Sequence, residues 1–344
     1  MIRKIKNLIL VFIVGGLLGL IACKQCNTNK NREAINSTTD SSIHSKSIDM
    51  VSEEIKKDSL NAYLYYKRAQ LYQGQNDLKT ALTDMFLAIS IDSLRPEYYL
   101  YAADLFIQNN DPKRAIMLMD KAISTDSANI KYYVYAGKFC YLAKDYKQAL
   151  TYFNEGIKRD MFNPDIYFQK GMVYKDMGDT NKAISTFQTC VEQDPKYADA
   201  YLQIGLLMKQ RGDKMAQKYL DNAVKANPNA EDAIYAKGFA EKDAKQYEQA
   251  IATFKQVIEL NHRNPDALDA IGFCYLQLDS ISTAYRYFNL AISIDPEFAE
   301  AFYRKGLCAE KLKHIEEAKS LYQQCLNLNP KYELATKALK RLGS

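Results

Sequence analysis

Four alanines, Ala81, Ala115, Ala149 and Ala183, stand 34 residues apart, and Ala250, Ala284 and Ala318 resume the same interval. Between the two runs Ala216 falls one residue early, so one copy has lost a residue in a turn. A second ladder precedes the alanines: Tyr65 with Ala69, Tyr99 with Ala103, Tyr133 with Gly137, Tyr167 with Gly171 and Tyr201 with Gly205. It continues as Gly238, Gly272 and Gly306, with Ile234, Leu268 and Phe302 as the bulky partners. A bulky residue and a small one four places apart share one helix face. A fixed period of this length reads as a stack of helical units, none of which buries its apolar face alone.

Within each period, small residues at the eighth, twentieth and twenty-seventh positions let two helices approach closely. Large residues at the fourth, eleventh and twenty-fourth fill the space beside them, among them Tyr72, Phe153, Tyr174, Phe187, Phe254, Tyr275, Phe288 and Tyr322. Pro195, Pro228, Pro296 and Pro330 fall where the second helix must stop, because proline cannot donate to a continuing helix. This layout resembles the tetratricopeptide repeat (TPR), two antiparallel helices per unit. The resemblance implies an all-α fold, an α-α superhelix or solenoid of about eight helical hairpins. The repeats are 62–95, 96–129, 130–163, 164–197, 198–230, 231–264, 265–298 and 299–332, nearly four fifths of the chain. Residues 333–344 supply a C-terminal capping helix, with Leu334, Ala338 and Leu342 expected on its packed side, and residues 47–61 a covering helix at the other end. The pattern is weakest in repeat six, where Glu241 takes a large apolar slot and His262 stands where proline is common; Met161 does the same in repeat three. Four repeats carry Arg68, Lys170, Lys237 or Lys305 at the seventh position, where a long stem can be buried and the charge kept wet.

The chain opens with Arg3, Lys4 and Lys6, an apolar stretch from Leu8 to Ile21, and small residues before a cysteine, which reads as an export signal. The stretch falls short of the ~20 apolar residues of a membrane-spanning helix. Leu20-Ile21-Ala22-Cys23 resembles the lipobox of bacterial lipoproteins, which implies removal of residues 1–22 and acyl chains such as palmitate on Cys23. Gly15 and Gly19, a small-residue pair of the kind that joins membrane helices, lie in the part removed. Residues 23–46 then change to Asn, Ser, Thr and Lys, a composition that cannot bury enough surface to fold. As a flexible coil such a tether spans roughly 25 to 30 Å. Without the signal, Lys+Arg fall from 46 to 43 against 41 Asp+Glu, so the basic excess that a nucleic-acid groove requires is missing.

Signatures of catalysis are absent: no phosphate-binding glycine loop, nucleophile elbow or zinc-binding histidine pair. The three histidines, His44, His262 and His314, are scattered, and no carboxylate pair stands out. No enzyme activity, cofactor or metal is expected. Cys140, Cys190 and Cys325 occupy packing slots, where a thiol serves as a small hydrophobe. Cys274 and Cys308 repeat one position on neighbouring helices ~8–10 Å apart, beyond the ~7 Å that a disulfide spans. Cys26 has no evident role.

The TPR resemblance places positions two, five, nine, twelve and thirteen of each first helix on an inner, concave face. Positions five and nine give Phe168 and Met172, Leu202 and Leu206, Tyr235 and Phe239, then Asp269 and Phe273, and Tyr303 and Leu307. The first repeats offer Gln70, Asp104 and Lys138 instead at position nine. This apolar stripe has two readings, burial by packing of neighbouring first helices against one another or by the last helix folding back on them, or a groove for a partner's peptide or amphipathic helix, and the groove is preferred. Position five never supplies the lysine or asparagine of the clamp with which some TPR proteins hold acidic C-termini. The expected function is a non-catalytic protein-binding scaffold of the cell envelope, lipid-anchored to the outer membrane and facing the periplasm, in assembly of a secretion, pilus or outer-membrane machine. The alternative is a periplasmic holdase-like carrier for unfolded or lipid-bearing clients.

Overall fold

The computed structural model describes residues 47–343, so the export signal, Cys23 and the whole tether lie outside the described residues. Those described form eighteen helices and no strand. Two compact bodies divide between Asp92 and Ser93. The first contains α1 (47–57), α2 (Ala62–Gly74) and α3 (Leu78–Ile91). The second contains seven hairpins: α4 (Pro96–Gln108) with α5 (Pro112–Thr125), α6 (Ile130–Leu142) with α7 (Tyr146–Arg159), α8 (Pro164–Asp176) with α9 (Thr180–Gln193), and α10 (Ala198–Gln210) with α11 (Ala216–Ala226). They continue as α12 (Glu231–Asp243) with α13 (Tyr247–Leu260), α14 (Pro265–Gln277) with α15 (Ile281–Ile294), and α16 (Ala299–Lys311) with α17 (Ile315–Leu328), before the final α18 (Glu333–Arg341). Among these helices none is long and apolar enough to cross a membrane.

The turn inside every hairpin is built the same way. Its fifteenth-position residue is left-handed: Asn76, Asn110, Lys144, Gly178, Gly212, Lys245, Asp279 and Lys313 all have φ between 56° and 79°. Only two are glycine, so the others adopt a conformation that costs an L-residue about 1–2 kcal/mol. Outside the shortened repeat five, whose second helix starts after Met215, the next residue is the N-cap of the second helix. Asp77, Asp111, Asp145 and Asp179 accept from the backbone N–H three residues on, whereas Gln246, Ser280 and His314 give no side-chain cap. Between repeats, Asp160, Asp194, Asn227, Asn261, Asp295 and Asn329 each accept from the N–H two residues on, closing the turn that leads into the next first helix.

The core is a column of size-matched contacts. The twenty-fourth-position residues Met85, Met119, Phe153, Phe187, Phe254, Phe288 and Tyr322, together with Leu220 of the shortened repeat, are all 0% exposed. Opposite them stands the eighth-position residue of the first helix. A Cβ on Gly171 would lie 2.6 Å from the Phe187 ring, and one on Gly205 would lie 2.7 Å from Leu220 Cδ2 and 3.2 Å from its backbone nitrogen. Glycine there faces an aromatic ring or the drawn-in Leu220, whereas the two repeats with alanine, Ala69 and Ala103, carry methionine in the facing slot.

The end helices pack as the repeat requires. Val51 and Ile55 of α1 join Leu64 in one buried cluster. At the other end Ala335 and Ala338, flanked by Leu339 and Leu342, cover Ala309, Ala318 and Tyr322. Leu334, expected on that face, is 52% exposed, because the i, i+3, i+4, i+7 stripe starts one residue later at Ala335. The basic seventh-position side chains do more than stay wet. Lys170 donates to Asn154 at 2.8 Å, Lys305 to Asn289 at 2.8 Å, and Lys237 pairs with Asp221 at 3.1 Å, each on the second helix of the preceding repeat. Arg68 instead holds the buried Asp84 of its own repeat.

Glu241 is buried in its apolar slot and its Oε2 has no hydrogen-bond partner. Burial pushes its carboxyl upward, against the opposing pull of the Thr253 hydroxyl and Lys237. The neutral form is therefore favoured in the fold, and the stability it contributes at low pH is lost as pH rises through the raised value. Glu241→Met should raise the stability of the chain at neutral pH by about 1–3 kcal/mol and weaken the loss of stability between acid and neutral pH. Urea titrations at both ends of that range test this. In the same repeat, Gln246→Asp supplies the missing cap and should add about 0.5–2 kcal/mol, read as a rise in the thermal midpoint.

Candidate protein-binding groove

Antiparallel helices in a hairpin leave one side of the stack to first helices and the other to second helices. In the second body α6 packs directly on α8, α10 on α12, α12 on α14 and α14 on α16, and no two second helices pack as extensively. A stack whose neighbours are closer on one side curves towards that side. The first helices therefore line the inner face.

Of the nine apolar residues assigned to this face from sequence, Leu206 is exposed at 39%, Leu202 is buried, and Phe168, Met172, Tyr235, Phe239, Phe273, Tyr303 and Leu307 are half-buried. Several are packed from beneath. The Phe168 ring lies 5.6 Å from Phe187 and 5.1 Å from Tyr197, Tyr235 lies 5.5 Å from Phe254, and Tyr303 lies 5.7 Å from Tyr322 and 5.2 Å from Tyr332. Each ring thus divides its surface between the core and the inner face. The packing below is against second helices and inter-repeat turns, not the first-helix-on-first-helix packing expected from sequence.

Charged side chains frame it. Position two of five successive first helices is acidic: Asp165, Asp199, Asp232, Asp266 and Glu300. Position twelve of α8, α10 and α12 is Lys175, Lys209 and Lys242. Ten residues of helix separate the two rows by ~15 Å. Helix polarity explains their placement, since carboxylates are favoured at the amino end and ammonium groups at the carboxyl end. Burial, with Asp232 beside it, pushes Asp199 upward, and burial pushes Lys175 and Lys138 downward. The lysine row is largely engaged. Lys175 donates to Gln203 at 2.9 Å, and Lys209 and Lys242 reach Asp243 at 2.8 and 3.5 Å. The same two ammonium groups sit 3.9 and 4.1 Å from the centre of the Phe239 ring, and Lys242 also lies 5.0 Å from that of Phe273. These are cation–π distances, so the middle of the stripe is roofed by charge rather than bare.

Asp269, the polar exception at position five, is 5% exposed and pairs through Oδ2 with Arg304, which also holds Glu300 and lies over Phe273. Its Oδ1 has no partner, and burial raises its carboxyl to about 6 despite the guanidinium. Both charged rows recur in the sequence at fixed repeat positions, two and twelve, outside the positions five and nine that define the apolar stripe. The Asp269–Arg304 pairing joins two repeats, which no local spacing announces. The five described cysteines are buried, and desolvation lifts their thiols to about 11 or 12, so each is neutral near pH 7 and packs as an apolar group. Among the described residues no His, Cys, Asp and Glu group suited to holding a metal ion occurs.

Family models for the tetratricopeptide repeat match residues 164–197, 231–264, 265–298 and 299–332. Among curated proteins none matches the chain by sequence. Of solved structures, PilF of Pseudomonas aeruginosa is similar at a TM-score of 0.52 and 17% identity, covering 63% of this chain and 98% of that one. The Cut9–Hcn1 hetero-tetramer of the APC/C is similar at 0.50 and 16%, covering 87% of this chain and 59% of that one. YrrB, a TPR protein described as having an unusual peptide-binding site, is 26% identical over 54% of this chain and 97% of that one, at a TM-score of 0.42. Residues 164–197 and 231–332 are tetratricopeptide repeats, and the described chain has the all-helical, paired-repeat fold of tetratricopeptide proteins.

Proposed function

We propose that this protein is a non-catalytic scaffold of the bacterial cell envelope, anchored by acyl chains on Cys23, that holds a partner protein on the inner face of its repeats. TPR proteins commonly act as protein-binding scaffolds. The observation that carries the reading here is the framed stripe itself: Leu206 open to solvent among half-buried rings, between an acidic and a basic row. Exposed apolar surface bounded by charge is the composition of a protein interface. The anchor rests on Leu20-Ile21-Ala22-Cys23 and on the polar residues that follow, and the site of action is the periplasmic side of the outer membrane, in assembly of a secretion, pilus or outer-membrane machine.

A photo-crosslinking side chain at Leu206, with Lys255 on the exposed side of α13 as control, tests this in living cells. One discrete adduct from Leu206 alone is expected. A ladder of many adducts would favour the carrier reading over the scaffold, and equal capture at Lys255 would remove the inner face as the binding surface. Cys23→Ser should abolish incorporation of labelled palmitate and release the chain from the membrane fraction; retention of the label would refute the anchor.

A further inference from the structure

The turns that join one repeat to the next change character along the second body. Their outermost residue, exposed in every case, is Leu94, Ala128 and then Phe162, whereas later turns present polar or charged side chains such as Lys196, Arg263 and Lys331. Leu94 is 81% exposed, Phe162 68% and its neighbour Met161 58%. The apolar turns are also pinned. The hydroxyls of Tyr99, Tyr133 and Tyr167, at the fourth position of the following first helix, donate to the carbonyls of Ser93, Ser127 and Met161 at 3.0, 3.2 and 2.9 Å. Repeats six to eight place Ile234, Leu268 and Phe302 there and have no hydroxyl to give. Arg159, at the end of α7, donates to the Ser127 carbonyl at 2.8 Å and so ties the turn at Ala128 to the turn at Phe162. The first body has a turn of the same build, with Tyr65 donating to the Ser59 carbonyl at 3.2 Å beside Leu60, which is 78% exposed.

We infer that these turns rest on the lipid bilayer that carries the Cys23 acyl chains: Leu94, Met161 and Phe162 enter the boundary between headgroups and acyl chains, and the amino ends of the neighbouring first helices face the membrane. The inference rests on the anchor proposed above and adds the edge of the second body that the membrane meets. Where the apolar turns lie selects a bilayer over another protein. Only 23 residues separate Cys23 from Ser47, and as a coil that length spans roughly 25 to 30 Å, so the anchor keeps the amino-terminal end of the described chain close to the bilayer. The apolar turns are the ones nearest that end in sequence, and the charged turns are the farthest from it. The acidic row on the same edge begins at Asp165, just past the last apolar turn, and carboxylates are repelled by an anionic lipid surface. The tyrosine bonds suit the same surface, because a backbone carbonyl brought against lipid needs a partner that water no longer supplies. Three side chains on two turns bind a bilayer weakly by themselves, but on a chain already tethered to it a weak contact is made at high effective concentration and fixes orientation.

The test uses the acylated full chain in vesicles of phosphatidylethanolamine and phosphatidylglycerol, with a nitrobenzoxadiazole probe on Met161→Cys or, as control, on Lys196→Cys. Cys26→Ser leaves the introduced thiol as the labelling site, since the five described cysteines are buried. Flotation of the vesicles reads the anchor, and the probe reads the turn. The chain should float, the emission of the probe at 161 should shift to the blue and be lost when the lipids carry a doxyl quencher, and the probe at 196 should do neither. Leu94→Glu/Phe162→Glu, two exposed positions whose fold circular dichroism checks, should abolish the shift at 161 while flotation persists. A floating chain whose probe at 161 behaves like that at 196 would overturn the membrane contact and leave the anchor standing. A shift at 161 that doxyl lipid does not quench would place the turn against protein, a second copy of the chain, and overturn the inference equally. A chain that fails to float would overturn the anchor and the contact with it.

Discussion

In every hairpin the two helices meet most closely where the eighth residue of the repeat faces the twenty-fourth. The helix separation is set there, and both residues are removed from water, so their summed size has to be right. Six repeats solve this with glycine under a ring or, in repeat five, under Leu220, and two solve it with alanine facing methionine. Leu220 is the informative case. Its repeat is one residue shorter, the second helix is drawn in until a Cβ on Gly205 would meet the Leu220 backbone nitrogen as well as its side chain, and a smaller residue fills the slot. The remaining features need this spacing. The left-handed residue and the capping carboxylate can close the turn only if the helices approach at that distance, and the inner face exists because consecutive hairpins stack in the same register.

The character of the inner face also follows from helix geometry. First helices run parallel from repeat to repeat, so their amino ends form one edge and their carboxyl ends the other. Acidic residues gather on the first edge and lysines on the second, each stabilised by the local dipole. Between the edges, rings that began as core residues keep part of their surface outward. Phe239 shows the compromise: two lysines from adjacent repeats lie within cation–π distance of its ring, which screens an apolar surface from water without burying it. The face is graded, acidic, aromatic and basic in turn.

How much of this could be read from the sequence depended on whether the determinant was local. The helical period, the small and large slots and the all-helical class were legible, because each repeat restates them and eight copies average out exceptions such as Glu241. The final helix was legible as amphipathic but misjudged by one residue at Leu334, since a short helix gives few turns over which to fix a face. What was not legible lies between repeats. Lys170, Lys237 and Lys305 looked like tolerated charges and turn out to reach back to Asn154, Asp221 and Asn289. Asp269 looked like a gap in an apolar stripe, and its meaning depends on Arg304 in the next repeat. Such pairings depend on how hairpins stack, which spacing within one hairpin does not encode.

The size-matching constraint is tested most directly by a double-mutant cycle at Gly171 and Phe187, followed by urea denaturation of the full chain. Gly171→Ala alone should cost about 1–3 kcal/mol through overpacking, and Phe187→Met alone should cost less. The double variant, which reproduces the alanine–methionine pairing of the first two repeats, should recover most of the alanine cost, with a coupling of about 1 kcal/mol or more. Costs that simply add, within about 0.5 kcal/mol, would show that the two positions do not determine each other and that the helix separation is set elsewhere.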